Sequence, residues 1–330
     1  MHGLTTLAPE STIVNTGVRT DGCSPLSHRV VHLPSAAPLR LPHVRQVSAV
    51  DATNDMNGTG ISFLGGPRPQ RGVGVVAPFD FALDRELWRW APDEVSLHLT
   101  RTPFMPVEVS LDLARLVSEH RTLAAAVRTL TAVTPEVVAY ACASGSFVGG
   151  IAGERALCAA MTRAGAVAAV TTPGALLEAL TELGTRRVAL VTPYTVSLTR
   201  SLQDYLAEAG VTVTGCACMG LTRHIWKVPY RGVADMARRA ARGDQPQALF
   251  LSCTNLPTYD VIPQLEAELR IPVISANQVT MWAALRRLGT RPVGPYQALP
   301  SGVPPAPPRP RHEDGGAWPV LSDEPQEGRP

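Results

Sequence analysis

Val73-Gly74-Val75-Val76-Ala77-Pro78-Phe79 returns as Val188-Ala189-Leu190-Val191-Thr192-Pro193-Tyr194, and Ala141-Cys142-Ala143-Ser144 returns as Ser252-Cys253-Thr254-Asn255. The order is the same in both copies and the spacing nearly so: 64 positions separate Pro78 from Cys142, and 60 separate Pro193 from Cys253. A third echo follows each cysteine, Ala179-Leu180-Thr181-Glu182-Leu183-Gly184-Thr185-Arg186 against Ala284-Leu285-Arg286-Arg287-Leu288-Gly289-Thr290-Arg291. The chain therefore reads as a duplicated α/β unit with one cysteine per half. Equivalent loops of two such units face each other across a pseudo-twofold axis, which sets two thiols on opposite sides of one cleft. That geometry suits chemistry at one carbon from two directions, either moving a proton or adding and removing a thiolate.

Around these segments, β-rich apolar runs alternate with amphipathic stretches, the pattern of parallel sheets covered by helices on both faces. The expected fold is α/β, with two pseudo-twofold-related parallel-sheet domains of three αβα layers and the active site in the cleft between them. Strands are expected over 72–77, 136–141, 166–171, 187–192, 211–215, 247–252 and 272–275, where short β-branched runs are flanked by turn signals. Leu113, Leu116, Val117, Leu123, Ala124, Val127 and Leu130 recur at helical spacing and predict one helix from Leu111 to about Val133. Thr172-Pro173 opens another helix that Gly184 closes, and Gly210 and Gly289 end helices in the same way.

With 330 residues and 45% apolar composition, the chain can bury one large core or two smaller ones. A net charge of +2, scattered Lys and Arg, and few aromatic residues speak against a nucleic-acid partner. No positive n-region leads into an apolar stretch, and the best apolar run, around Leu157 to Val170, is interrupted by Arg163. No membrane association is expected, and the location is read as cytoplasmic. The six cysteines fall mostly in apolar patterns of a large chain, so free thiols are the expectation. Residues 1–70 lack periodicity and end in the breaker cluster Gly65-Gly66-Pro67-Arg68-Pro69, which predicts a disordered extension in which Met56 is an alternative start of translation. Residues 301–330, with Pro304, Pro305, Pro307, Pro308 and Pro310, read as a passive solvated tail, with a polyproline ligand as the alternative.

Each repeat cysteine follows a buried-type strand. In open α/β sheets the carboxyl ends of strands are where ligands bind and where unpaired N–H groups of a following helix favour anions. Those donors lower a thiol's pKa and hold a carboxylate. Cys142 and Cys253 are therefore the candidate catalytic residues, with backbone at Ala143, Ser144 and Gly145 on one side and at Thr254 and Asn255 on the other cradling the substrate. One such cysteine alone would read as a small buried hydrophobe; a matched pair at equivalent strand ends reads as function. Tyr194 and Phe79 occupy equivalent loop positions: a tyrosine hydroxyl donates to an oxyanion or packs, whereas Phe79 forms an apolar wall. Asp80, beside Phe79, is a candidate base or substrate-orienting group, with an exposed loop carboxylate as the plainer reading. Arg223 and His224 are candidates to neutralise a second carboxylate, against the reading of a solvated basic loop. Cys158 reads as core. Cys216-x-Cys218 lacks a second pair at zinc spacing, so no metal is expected there, and Cys23 has no assigned role.

With those residues assembled, the chain resembles the aspartate/glutamate racemase superfamily, and within it the maleate cis-trans isomerase and arylmalonate decarboxylase branch. The resemblance runs over roughly 71–291. It is most specific in Leu251-Ser252-Cys253-Thr254-Asn255-Leu256-Pro257-Thr258-Tyr259-Asp260-Val261-Ile262-Pro263, continuing to Val273-Ile274-Ser275-Ala276-Asn277-Gln278. Tyr140-Ala141-Cys142 resembles the first cysteine segment of maleate isomerases, and Thr192-Pro193-Tyr194 matches a tyrosine that contacts substrate in the family. Asn255 stands where amino-acid racemases of the superfamily carry histidine. Arylmalonate decarboxylases have glycine at the position of Cys142, so two thiols favour isomerisation. Pro78-Phe79-Asp80-Phe81 and Thr222 depart from maleate isomerases and point to a bulkier or more apolar substrate.

What the resemblance implies is an isomerase of a small dicarboxylate that uses two cysteines and no cofactor or metal. Cys142 would add to the alkene carbon and Cys253 would supply and recover the proton, although the residues themselves leave open which thiol is nucleophile and which is acid. The alternatives are decarboxylation of a 2-substituted malonate with Cys253 as proton donor, racemisation, or a non-enzymatic carboxylate-binding or redox-sensing module. Repeat and resemblance together place the first domain at 71–172 plus 277–300 and the second at 173–276, and imply a monomer or homodimer.

Overall fold

The computed structural model describes residues 70–302. The readings of the N-terminal extension, with Met56 and Cys23, and of the proline-rich tail after Gly302 lie outside the described residues. Strand β1 (Arg71–Ala77) carries the first half of the repeat and is buried from Val73 onward. It pairs in parallel with β2 (Val95–Arg101) on one side and β3 (Val137–Tyr140) on the other, and β4 (Ala169–Thr171) completes the order β2-β1-β3-β4. Strand β5 (Arg187–Thr192) stands in the same relation to β6 (Thr212–Cys218) and β7 (Ala248–Leu251), and β8 (Val273–Ser275) completes β6-β5-β7-β8.

The register repeats as well. Val76 lies opposite Tyr140 and Val191 opposite Leu251. One residue further on, the Ala141 N–H donates to the Val76 carbonyl at 2.8 Å and the Ser252 N–H to the Val191 carbonyl at 2.9 Å. The duplicated sequence is thus a duplicated sheet, and each cysteine sits two residues past the end of its third strand.

The helices are α1 (Asp84–Trp88), α2 (Leu111–Val117), α3 (His120–Leu130), α4 (Ala143–Phe147), α5 (Gly150–Arg163), α6 (Thr172–Glu182), α7 (Val196–Glu208), α8 (Tyr230–Ala240), α9 (Ile262–Leu269), α10 (Ala276–Arg287) and α11 (Ala298–Ser301). Helices α6 and α10 start in the same way: the Thr171 hydroxyl accepts from the Gly174 N–H at 3.2 Å, and Ser275 forms a reciprocal capping box with Gln278. They end in the same way too, at Gly184 and Gly289 with φ of +64° and +70°, a left-handed geometry that glycine adopts without a Cβ clash. Helix α10 is buried continuously from Ala276 to Leu285 and packs against α6 and β3. The Thr172 and Thr280 hydroxyls meet at 2.8 Å in that contact. Helix α6 also packs on β4 and α4.

Three local expectations are corrected. Strand β2 was not predicted: it alternates, with Val95 and Leu97 buried and Ser96 and His98 between them, as an edge strand does, rather than forming an apolar run. The single helix over 111–133 is broken into α2, α3 and a 3₁₀ turn at Thr131–Val133. At the break, the Ser118 hydroxyl turns back to the Arg115 carbonyl at 2.7 Å and competes with continuation of the helix. The expected strand over 166–171 narrows to Ala169–Thr171, while β6 extends to Cys218.

The interior is apolar and fully enclosed at Trp90, Phe250, Leu190 and Leu176, each worth roughly 1.5–3 kcal/mol of burial or more for the aromatics. Trp90 keeps its one polar atom satisfied by donating Nε1–H to Gln297 Oε1 at 2.9 Å. Among the described residues no helix is long and apolar enough to cross a membrane.

Candidate active site

The two strand-end cysteines line one pocket. It also takes in Asp80, Ala143, Ser144, Tyr194, Thr254 and Asn255, whereas Gly145 lies behind Cys142 and is not part of the lining. The empty space between these residues, counting the open mouth, is about 500 Å³. Cys142 is 4% exposed, Cys253 8% and Tyr194 1%. Arg223 and His224 do not reach this pocket. They border an adjoining depression with Phe79, Phe104 and Trp226, where Arg223 pairs with Glu108.

The two thiols are held differently. Cys142 is the N-cap of α4, in relaxed extended backbone (φ −140°), with Ser144 Oγ 4.0 Å from its sulfur. Gly145 makes room for this arrangement: a Cβ there would lie 2.8 Å from the Tyr140 hydroxyl and 3.1 Å from Cys142 Sγ. The Tyr140 hydroxyl donates to the Val117 carbonyl at 2.6 Å and lies beside the Cys142 sulfur. Cys253 instead has φ of +87°, a conformation rare for a residue with a side chain. No helix begins behind it. The chain turns, with the Leu256 N–H returning to the Cys253 carbonyl at 3.1 Å, and the next helix, α9, opens only at Ile262. The expectation of a helix N-terminus behind both cysteines is therefore corrected for Cys253, where turn backbone does the work: the Asn255 N–H donates to Cys253 Sγ at 3.4 Å. Even α4 is only five residues long, so its dipole is small.

Burial reverses the expected acidity of both thiols. It pushes Cys142 up to about 11, opposed chiefly by the Gly145 N–H and reinforced by the Asp80 charge. It pushes Cys253 up to about 12, opposed by the Asn255 N–H and the Tyr194 hydroxyl and reinforced by Asp80 and by Cys142 itself. Desolvation of a thiolate in an apolar cleft outweighs a few backbone donors. Burial likewise raises the Asp80 carboxyl and lifts Tyr194 well above the ordinary phenol range, so Tyr194 is a hydrogen-bond donor at every working pH. Because each cysteine's charge disfavours the other's, the pair holds at most one thiolate near neutrality.

Asn255 joins the two sides of the pocket. Its Nδ2 donates to the Asp80 carbonyl at 2.9 Å and its Oδ1 accepts the Ala82 N–H at 3.0 Å. Its side chain thus holds the Pro78–Ala82 loop, leaving Asp80's carboxyl to face the sulfurs.

Phe79 lines the pocket as the expected apolar wall, but sequence reasoning missed the rest of that wall, which is supplied by Val109, Leu113, Val117 and Ile225. The α2 residues among these were visible only as the core face of a helix. It also missed Glu86, buried behind the Cys253 turn; a single glutamate in a five-residue helix carries no periodic signal. Among the described residues no group of three or more His, Cys, Asp or Glu is placed to hold a metal ion, and Cys216 and Cys218 are free thiols on β6.

Two halves with one sheet order, each delivering a thiol from two residues past its third strand into a common pocket, define a pseudo-symmetric paired-thiol α/β class. Residues 116–297, more than half of the chain, match the family model described as arylmalonate decarboxylase, and the chain belongs to that family. It is 35% identical over 147 residues to the arylmalonate decarboxylase of Bordetella bronchiseptica, a match spanning 44% of this chain and 61% of that enzyme's length. It is 28% identical over 230 residues to a maleate isomerase of Nocardia farcinica, covering 66% of this chain and 90% of the relative. The fold superimposes with a TM-score of 0.61 and 27% identity on a cysteine-to-serine mutant of Nocardia farcinica maleate cis-trans isomerase bearing a covalently bound succinylcysteine intermediate, covering 67% of this chain and 94% of that one.

Proposed function

We propose that the protein is a cofactor-independent isomerase of a small unsaturated dicarboxylate of the maleate type, with Cys142 and Cys253 as the catalytic pair. The observation that carries this reading is that two thiols from equivalent positions of the two halves line one enclosed pocket, with the Tyr194 hydroxyl beside one of them. Arylmalonate decarboxylases, by resemblance, carry glycine in place of the first of these cysteines.

In the reaction, Cys142 as thiolate adds to one alkene carbon and the electron pair moves into the adjacent carboxylate as an enediolate. Tyr194 O–H and the backbone N–H groups around Ala143, Ser144 and Thr254 face the developing oxyanion. The Cys253 thiol protonates the neighbouring carbon, giving a saturated cysteine adduct. Rotation about the resulting single bond, return of the proton to Cys253 and expulsion of Cys142 release the trans acid and restore both residues. The cycle requires one thiolate and one thiol: mutual repulsion disfavours the doubly ionised pair, and because burial holds both resting thiols protonated, Cys142 ionises only in the minor fraction that reacts. Enclosure also keeps water from the enediolate. On this reading Asp80 keeps the resting thiols protonated, and the Asn255 side chain positions Asp80.

A second reading, decarboxylation of a 2-substituted malonate with Cys253 as proton donor, is favoured by the apolar depression of Phe79, Phe104 and Trp226 that adjoins the pocket. Incubation of the purified protein with maleate and with phenylmalonate separates the two. Fumarate from maleate, lost in Cys142→Ala, supports the isomerase; carbon dioxide from phenylmalonate, surviving Cys142→Ala, supports the decarboxylase instead.

A further inference from the structure

Glu86 lies on α1, 7% exposed and outside the pocket lining. The donors that reach its carboxylate, from Thr258, Asn277 and the Tyr259 backbone N–H, all lie on the second half and the helix that follows it. The Thr258 N–H donates to Oε2 at 3.1 Å, the Thr258 hydroxyl to Oε1 at 2.7 Å, and Asn277 Nδ2 to Oε1 at 3.3 Å. The same Asn277 Nδ2 donates to the Thr254 carbonyl at 2.9 Å. Asn277 Oδ1 is left buried without a hydrogen-bond partner. That amide is therefore oriented by two acceptors, Glu86 and Thr254, at the cost of one unsatisfied oxygen, roughly 1–3 kcal/mol.

What lies at the end of this chain of contacts is Cys253, bonded directly to Thr254 and held at φ +87°. A residue with a Cβ keeps such a backbone only where its surroundings over-determine it. The equivalent Cys142, at φ −140°, needs no such support. We infer that Glu86 is a positioning residue: through Thr258 and Asn277 it fixes the Cys253–Thr254 backbone in its strained form and so aims the Cys253 sulfur into the shared pocket. The inference rests on the reading of Cys253 as a catalytic residue. It makes the first half, which donates one thiol, the anchor for the orientation of the other.

The test uses the full-length protein with Glu86→Gln, Thr258→Val and the double variant. An amide at position 86 has one acceptor oxygen where the present carboxylate has two, and Thr258→Val removes one donor while keeping the side-chain shape. Two quantities are read: kcat and KM on maleate, and the separate alkylation rates of Cys142 and Cys253 by iodoacetamide, resolved by peptide mass spectrometry. The expected result for Glu86→Gln is a kcat about tenfold or more lower with KM changed less than about threefold, and a Cys253 alkylation rate altered severalfold while that of Cys142 stays within about twofold. Thr258→Val gives a smaller effect in the same direction, and the double variant is no worse than Glu86→Gln alone because both act through one brace. Equal shifts at both cysteines, an unchanged kcat, or fully additive losses overturn the inference. Should the unsubstituted protein not act on maleate, the functional reading fails, and the alkylation ratio alone decides this one: a change confined to Cys253 supports the brace and its absence refutes it. If Glu86→Gln does not fold, Thr258→Val carries the same two readouts.

Discussion

Asn255, from the loop after β7, grips Asp80, from the loop after β1: its Nδ2 donates to the Asp80 carbonyl at 2.9 Å, while Oδ1 accepts the Ala82 N–H at 3.0 Å. Both bonds cross from one half to the other and both hold a loop that walls the pocket. Asn255→Ala leaves two backbone groups without partners and is expected to lower stability by about 1–3 kcal/mol. It is also expected to raise KM, since the loop it frees shapes the cleft. Urea unfolding and steady-state kinetics on the same variant check both.

Tyr194 separates packing from chemistry. Its ring is buried beside Phe147, with centroids 6.2 Å apart, and Tyr194→Phe retains that contact. Stability should stay within about 1 kcal/mol, whereas loss of a donor aimed at the oxyanion should lower kcat about 10²-fold or more. A variant with full activity would remove Tyr194 from the reaction.

The acidity of the thiols is set first by burial and then, among the opposing and reinforcing groups, partly by the Asp80 charge. Removing a nearby negative charge favours a thiolate, so Asp80→Asn is expected to shift the pH profile of iodoacetamide alkylation at both Cys142 and Cys253 toward lower pH. In the unsubstituted protein, alkylation should still be rising above pH 9, because burial holds both thiols above the ordinary range. A profile that levels off near pH 8 would contradict this account.

Glu266 gives the fold a pH dependence of its own. It accepts the Val273 N–H and the Ala298 N–H, both at 2.9 Å, yet burial pushes its carboxyl up to about 7. A carboxyl raised in the folded state holds its proton where the unfolded chain has lost it. Its contribution is complete below the ordinary value of 4.5 and is lost as pH rises through about 7. Unfolding free energy should therefore decline between pH 5 and pH 8, by on the order of 1–3 kcal/mol, and Glu266→Gln should flatten that decline.

The architecture was legible because parallel strands buried on both faces read as continuous apolar runs, and because those runs occur twice with their cysteines. Strand β2 escaped, since an edge strand alternates Val95, Leu97 and Leu99 with Ser96, His98 and Thr100. The members of the site were legible from their place after matched strands. Their electrostatics were not: whether Cys142 and Cys253 lie above or below the ordinary thiol range depends on how much water the closed pocket excludes, a tertiary quantity. The turn behind Cys253 was hidden for a related reason, because Thr254-Asn255-Leu256-Pro257 begins like Ala143-Ser144-Gly145-Ser146 yet takes a different backbone once Glu86, Thr258 and Asn277 close around it.

The central claim is that Cys142 and Cys253 act on one substrate from two sides, and the Cys253→Ser variant tests it directly. Incubated with maleate and analysed by intact-mass and peptide mass spectrometry, that variant should accumulate one substrate-derived adduct on Cys142, because the serine hydroxyl or solvent can still protonate the enediolate whereas a neutral hydroxyl is too weak a base to take the proton back. An unmodified Cys142, together with fumarate formation that persists when Cys142 is replaced by Ala, would contradict the account.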